Sequence, residues 1–383
     1  MSSAAFPRGK TAIVGAATYG IGKCPGHDAV DMAAKASLLA LEDAGLHLSD
    51  VDALYTSAPY EALGGLQLAE YLGVQTKITD SNRTGGSAFE IYAAQAAVAL
   101  SLGLINVALI AYGSNPATTS VKGVGMTRPS SYEAAYKPLA PISSYALAAA
   151  RHMYQFGTTR RHLAEVAVAA RRWAQLNPEA AVRDNLSIDD VLCARMVSDP
   201  LGVRDCCLFN DGAGAIVMTR AGHARSLRKA PVYVLGAATT VTHREISSMP
   251  DLTVTGAAVS GPAAFAQAGV TVADIDLAMV YDAFTITPIL FLEDLGFCPK
   301  GEGGRFVENG AIGPGGRLAV NTNGGGLSCV HPGMYGIFLL VEAVRQLRRE
   351  AGQRQLPKCD LAVAHGNGGV LSSEATVVLG RAT

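Results

Sequence analysis

At 383 residues, with 49% hydrophobic and 16% charged content and 42 glycines, the chain is sized for two core-bearing domains of a well-buried α/β protein. A net charge of −1 gives no bulk electrostatic case for nucleic acid or an anionic membrane as partner. Seven cysteines at irregular spacing argue for a reducing, cytoplasmic setting rather than a disulfide framework, and no clustered Cys/His spacing supports a metal. No apolar run reaches the roughly 18 residues of a membrane span. The longest, residues 93–111, is broken by Gln95, Ser101, Gly103 and Asn106. No signal peptide is apparent at the N-terminus.

In chain order, residues 10–17 (KTAIVGAA) predict a buried strand, and residues 31–45 an amphipathic helix stopped by Gly45. A turn and a further apolar strand follow over residues 46–57. The phrase AGLHLSDVDAL at residues 44–54 returns 224 residues later as AGVTVADIDLA at residues 268–278. In both halves a glycine-rich loop next leads into a long apolar helix (residues 84–103 and 324–347), then a buried strand (107–113 and 361–367). Two similar βαβ-rich halves meeting at a pseudo-twofold axis bring both glycine-rich loops to the centre.

Between the halves, residues 114–144 predict an irregular loop, residues 145–177 a helical stretch and residues 189–199 a short helix. Residues 210–220 then read as a strand that rejoins the first half. The division expected is 1–113 with 208–230 for one half, 114–207 for an inserted loop domain, and 231–383 for the other half. An insertion this long usually carries function.

Several longer phrases fit together: residues 150–168 (ARHMYQFGTTRRHLAEVAV), 190–207 (DVLCARMVSDPLGVRDCC), DGAGAIVM at 211–218, residues 295–310, VNTNGGG at 320–326 and HGNGGVLSSEATVVL at 365–379. Together they resemble the thiolase superfamily, and within it the sterol-carrier and lipid-transfer branch, over essentially the whole chain. The resemblance implies a five-layer αβαβα thiolase fold with an inserted loop domain. It also implies a coenzyme A thioester as substrate, no tightly bound cofactor and a homodimeric core. Members of this branch often pair with a separate zinc-ribbon/OB-fold protein, a module this chain does not supply.

Thiolases carry a nucleophilic cysteine at the head of the first central helix, because a covalent acyl intermediate needs a strong nucleophile. Here that position falls on Gly86, with Ser87 beside it. Glycine has no nucleophile, and serine needs a base. The alternative reading lets the GGS loop approach a ligand or cap the helix through Ser87. Cys329 lies two residues before the His-Pro pair, as a relocated nucleophile or as a small packed side chain.

His331 matches the family's Gly-His-Pro histidine, which polarises the thioester oxygen. His365 and Asn367 lie in AHGNGG, where a proton-shuttling group is expected. Tyr281, in VYDAF, replaces the Asn or His that holds water at the oxyanion hole, and Tyr335 follows the His-Pro motif. Two phenols in place of a cysteine resemble the lipid-transfer-protein aldolases. The expected catalytic residues are therefore Tyr281, His331, Tyr335 and His365. Gly86, Ser87, Gly325, Gly326 and Asn367 are expected at the CoA thioester, and Asp282 as a loop anchor. Arg160, Arg161, Arg171 and Arg172 read as a solvated helix face, with CoA phosphates as the other reading.

Three functions follow. The first is retro-aldol cleavage of a β-hydroxyacyl-CoA without an acyl-enzyme. The second is thiolysis or acyl transfer with the nucleophile moved to Cys329 or Ser87. The third is a non-catalytic, acyl-CoA-binding subunit of a complex.

Overall fold

A computed structural model describes residues 6–58, 63–119 and 131–383. The first half runs β1 (Thr11–Gly22), α1 (Ala29–Ala44), β2 (Ala53–Thr56), α2 (Gly64–Leu72), β3 (Ile78–Asp80), α3 (Ala88–Ser101) and β4 (Val107–Ser114). The insertion contributes α4 (Ile142–Phe156) and α5 (Arg160–Gln175), and β5 (Asp211–Arg220) closes the half. The second half runs β6 (Val232–Val241), α6 (Ala257–Ala268), β7 (Leu277–Val280), α7 (Ile286–Asp294), β8 (Ala319–Val320), α8 (Gly336–Leu347), β9 (Leu361–Gly368) and β10 (Ser373–Gly380).

The strand order is β8-β7-β9-β10-β6-β1-β5-β4-β2-β3. It is two five-stranded sheets of the same order joined edge to edge at β1 and β6, through only two residue pairs. In each sheet the three strands farthest from the β1–β6 junction run parallel, and the pairings nearer the junction are antiparallel. Helix α1 covers β1, β4 and β5 on one outside, and α6 covers β6 and β10 on the other. Helices α3 and α8 lie between the sheets and touch strands of both halves. That gives five layers, αβαβα. The central layer is the driest: Phe338, Leu340 and Val344 of α8 are fully buried, each stabilising by roughly 1.5–3 kcal/mol.

The repeated phrase has a physical explanation. Gly45 and Gly269 cap α1 and α6 in the left-handed region, at φ 72° and 65°. The first aspartate of each D-x-D clips its own turn: Asp50 accepts the His47 N–H and Asp274 the Thr271 N–H, both at 2.8 Å. The second reaches across to start the next strand. Asp52 accepts the N–H groups of Asn106 and Val107 at the head of β4. Asp276 accepts those of Asp360 and Leu361 at the head of β9.

Three expectations need correction. The helical stretch 145–177 is two helices, because Gly157 turns left-handed and Thr159 caps a new one. The helix expected over 189–199 covers only Ile188–Leu192; beyond it Met196–Ser198 pairs with Leu201–Gly202 as a short hairpin. The helix expected from residue 324 begins at Gly336, since Pro332 cannot continue a helix and residues Gly325–Cys329 form a wider, π-type turn. Part of the loop expected over 114–144 lies outside the described residues.

Candidate active site

The first turns of α3 and α8 meet where β7 and β9 end. At this junction a Cβ on Gly86 would stand 2.1 Å from Tyr281 Cε2 and 2.6 Å from Cζ and Oη. The ring of Tyr281 therefore fills the volume that any side chain at position 86 would need. Tyr281 is 4% exposed and its hydroxyl is held from two sides. It accepts the Tyr335 backbone N–H at 3.0 Å and lies 3.1 Å from His331 Nε2. The rings of His331 and Tyr335 both meet that of Tyr281 edge to face, with centroids 5.7 Å away.

Electrostatics keep this pair neutral at rest. Burial lifts the Tyr281 phenol well above its ordinary 10 and lowers the His331 imidazole to about 4. His331 is partly exposed as a residue, whereas Tyr281 is buried. A neutral imidazole beside a phenol can take the phenol proton, which makes the phenol oxygen a proton acceptor in turn.

The loop that presents His331 is fixed from every side. Asn210 accepts the His331 N–H at 2.8 Å and donates to the Cys329 carbonyl. The Tyr112 hydroxyl donates to the Pro332 carbonyl at 2.8 Å. Asn321 exchanges two hydrogen bonds with the Val280 backbone, both 2.8 Å, tying the loop to the strand that carries Tyr281. From the insertion, the Arg171 guanidinium donates to Ser328 Oγ, and Ala181 and Val182 donate their N–H groups to Cys329 and Ser328.

Tyr281, His331 and the backbone of Tyr335 are thus brought together. The Tyr335 phenol is fully buried and donates to Asn323 Oδ1 at 2.7 Å, inside the loop. Ser87 stands at the N-cap of α3 but its hydroxyl makes no capping bond there and donates to that of Ser373 at 2.9 Å. Gly325 and Gly326 have no N–H to offer a thioester. Those groups donate to Asn323 Oδ1 and Asp282 Oδ1.

His365 is set apart from the site. Val280 pairs in register with His365, so His365 shares the outer face of the sheet and Tyr281 the inner one. Its Nδ1 meets Thr376 Oγ1, its Nε2 lies 3.0 Å from Glu374 but out of line for a hydrogen bond, and Phe291 covers the ring. Asn367, on that same face, donates to the Tyr145 hydroxyl at 2.9 Å. Cys329 is buried, touches Asn177 Nδ2, and burial pushes its thiol far up. Arg160 and Arg171 are not on a solvated face: Arg160 donates to the carbonyls of Val191 and Leu192 at the end of the short Ile188–Leu192 helix and pairs with Asp205, while Arg171 is 3% exposed. Arg161 and Arg172 are exposed.

Sequence reasoning passed over Asn210, Tyr112 and Tyr145, whose partners are all more than 100 residues away. It also missed Glu90, fully buried on α3, where neither carboxyl oxygen finds a hydrogen-bond partner among the described residues. Among the described residues no group of His, Cys, Asp and Glu gathers as a metal site would require.

Residues 238–381 match the family model described as thiolase C-terminal domain-like. The chain is 35% identical, over 92% of its length and 94% of the relative's, to an acetyl-CoA acetyltransferase of Methanothermobacter thermautotrophicus. The chain belongs to the thiolase superfamily. Another relative of this superfamily chain is the 17-hydroxy-3-oxo-4-pregnene-20-carboxyl-CoA lyase of Mycobacterium tuberculosis, 34% identical over 89% of the chain and 92% of the relative. Among solved structures, an Ltp2-ChsH2(DUF35) aldolase superposes with a TM-score of 0.87, at 29% identity and 98% coverage of both chains. The thiolase fold and the resemblance to the lipid-transfer branch both stand.

Proposed function

We propose that this thiolase-superfamily chain cleaves a β-hydroxyacyl-CoA thioester by a retro-aldol reaction, with no acyl-enzyme. The observation that carries the reading is the Tyr281 phenol standing where the family nucleophile would project from position 86. Tyr281 Oη takes the proton of the substrate β-hydroxyl as its own proton passes to His331 Nε2. The Cα–Cβ bond breaks, releasing a ketone or aldehyde and leaving an enolate of the shorter CoA thioester. The proton held by the Tyr281–His331 pair returns to Cα. The leading N–H groups of α3, at the Gly86–Ser87 end, supply the positive end of the helix dipole for the enolate oxygen.

Here the histidine differs from its expected role: Nε2 is committed to Tyr281, so it serves the phenol rather than the thioester oxygen. Tyr335 positions the phenol through its backbone. Thiolysis has no support from geometry, since Cys329 and Ser87 are both turned into buried contacts. The relatives described as a CoA lyase and an aldolase favour the same chemistry. A homodimer, and a separate partner subunit of the zinc-ribbon/OB-fold kind, belong to this proposal. The aldolase solved as Ltp2-ChsH2(DUF35) supports the partner.

Mass spectrometry of products from paired β-hydroxyacyl-CoA and β-ketoacyl-CoA substrates tests the reading. The chain is assayed with and without free CoA. Carbonyl release from the hydroxy substrate without CoA, abolished in Tyr281→Phe, is expected. Cleavage of the keto substrate alone, and only with CoA, would overturn it.

A further inference from the structure

We propose that Asp282 is a positioning residue that sets the Tyr281–His331 distance, by gripping the backbone of the glycine on which the His331 ring rests. The inference rests on the assignment of Tyr281 and His331 to the chemistry, and assigns a task to a carboxylate next in sequence.

Asp282 Oδ1 accepts the Gly326 N–H at 2.6 Å and Oδ2 the Leu327 N–H at 3.3 Å. The side chain is 1% exposed, so both bonds form away from water, where charge-assisted hydrogen bonds are strong. Gly326 is gripped on its other side too, its carbonyl accepting the Leu208 N–H at 2.8 Å. A Cβ on Gly326 would lie 3.2 Å from Asp282 Oδ1 and 3.2 Å from His331 Cδ2, so the imidazole and the carboxylate flank one Cα. Gly325 must also be glycine: it has φ +67°, and a Cβ there would stand 1.9 Å from Asp282 Oδ2. Both partners of the Tyr281–His331 contact are therefore referenced to a single carboxylate, one through the peptide bond and the other through Gly326.

The grip depends on ionisation. A carboxylate accepts from both N–H groups, whereas a protonated acid turns one oxygen into a donor. Burial raises Asp282 to about 7, against the pull of the two N–H groups and of Asn321. The groups facing it are the Cys207 thiol, the Tyr335 phenol and, across Gly326, the His331 ring. Burial moves the first two up and the last to about 4, so none of them gains or loses charge near 7. The grip is thus complete above about 7 and loosens as pH falls through it.

The test compares wild type, Asp282→Asn and Tyr281→Phe by turnover against pH and by ¹⁵N NMR of the His331 ring. The expected result for Asp282→Asn is a fall in kcat of about 100-fold, as for a misplacement near 1 Å, with KM within about threefold. The wild-type loss of activity below pH 7 should disappear in Asp282→Asn. Its His331 Nε2 signal should move to where Tyr281→Phe places it. A variant that folds and keeps the wild-type pH profile and His331 signal would overturn the proposal. If Asp282→Asn does not fold, the wild-type His331 signal decides: a shift centred near pH 7 supports the grip, and its absence overturns it. If the wild type cleaves no β-hydroxyacyl-CoA, the functional reading fails, while the NMR arms still judge the grip.

Discussion

Adding one methyl group at position 86 should disable the chain while leaving it folded. In Gly86→Ala the new Cβ would stand 2.1 Å from Tyr281 Cε2 and 2.6 Å from Oη. Carbon contacts settle at about 3.5 Å, so the ring must withdraw by more than about 1 Å. Its retreat is resisted by the Tyr335 N–H, by His331 and by burial on every side. Overpacking of this kind costs about 1–3 kcal/mol of stability. A displacement near 1 Å costs about 100-fold in turnover. The assay is carbonyl release from a β-hydroxyacyl-CoA, alongside thermal melting. A double-mutant cycle with Tyr281→Ala isolates the clash, because the stability loss from Gly86→Ala should largely vanish once the ring is gone. Full activity in Gly86→Ala, or strictly additive stability losses, would refute the claim that the phenol occupies the nucleophile's place.

Tyr335→Phe leaves Asn323 Oδ1 with one donor fewer and should cost about 1 kcal/mol by denaturant melting. Turnover should fall less than in Tyr281→Phe, and an equal or larger fall would move the chemistry to Tyr335. Cys329→Ala should keep its turnover, and wild-type activity should survive iodoacetamide, since that thiol is buried and held protonated. Inactivation that tracks alkylation of Cys329 would revive thiolysis. Glu90→Gln addresses stability. Burial keeps the Glu90 carboxyl protonated well above the ordinary carboxylate range, while the unfolded chain releases that proton above about 4.5. The folded state therefore loses stability as pH rises past that point. The variant should melt higher than wild type at pH 8.5 and nearly the same at pH 4. An unchanged pH slope would show that Glu90 has a partner.

The fold was legible because its signals are local and doubled. The D-x-D phrase, the glycine caps and the buried strands recur in both halves, and each rests on bonds to a neighbouring turn or the next strand head. The missing cysteine was legible too, since an absence at the head of one helix needs no partner to be seen. The loop supports were not. Asn210, Tyr112 and Arg171 act on residues 121, 220 and 157 positions away, and nothing in their own neighbourhoods announces it. Gly325 and Gly326 were misread for a related reason. Glycines that admit a ligand and glycines that admit a carboxylate from the same chain look alike in sequence.

His365 and Tyr281 show what one further piece of geometry would have added. A strand alternates its faces, so residues paired in register point the same way. Once β7 and β9 run parallel with Val280 opposite His365, Tyr281 must share its face with Gly366, towards α3. His365 must then face α7, where Phe291 covers it. Tyr281 and Gly86 are joined by a stricter rule. The ring and any side chain at 86 compete for one volume, so this scaffold cannot hold both a nucleophile on α3 and a phenol on β7. The loss of one and the gain of the other are a single steric choice, and it is also the choice between acyl transfer and carbon–carbon cleavage by proton movement.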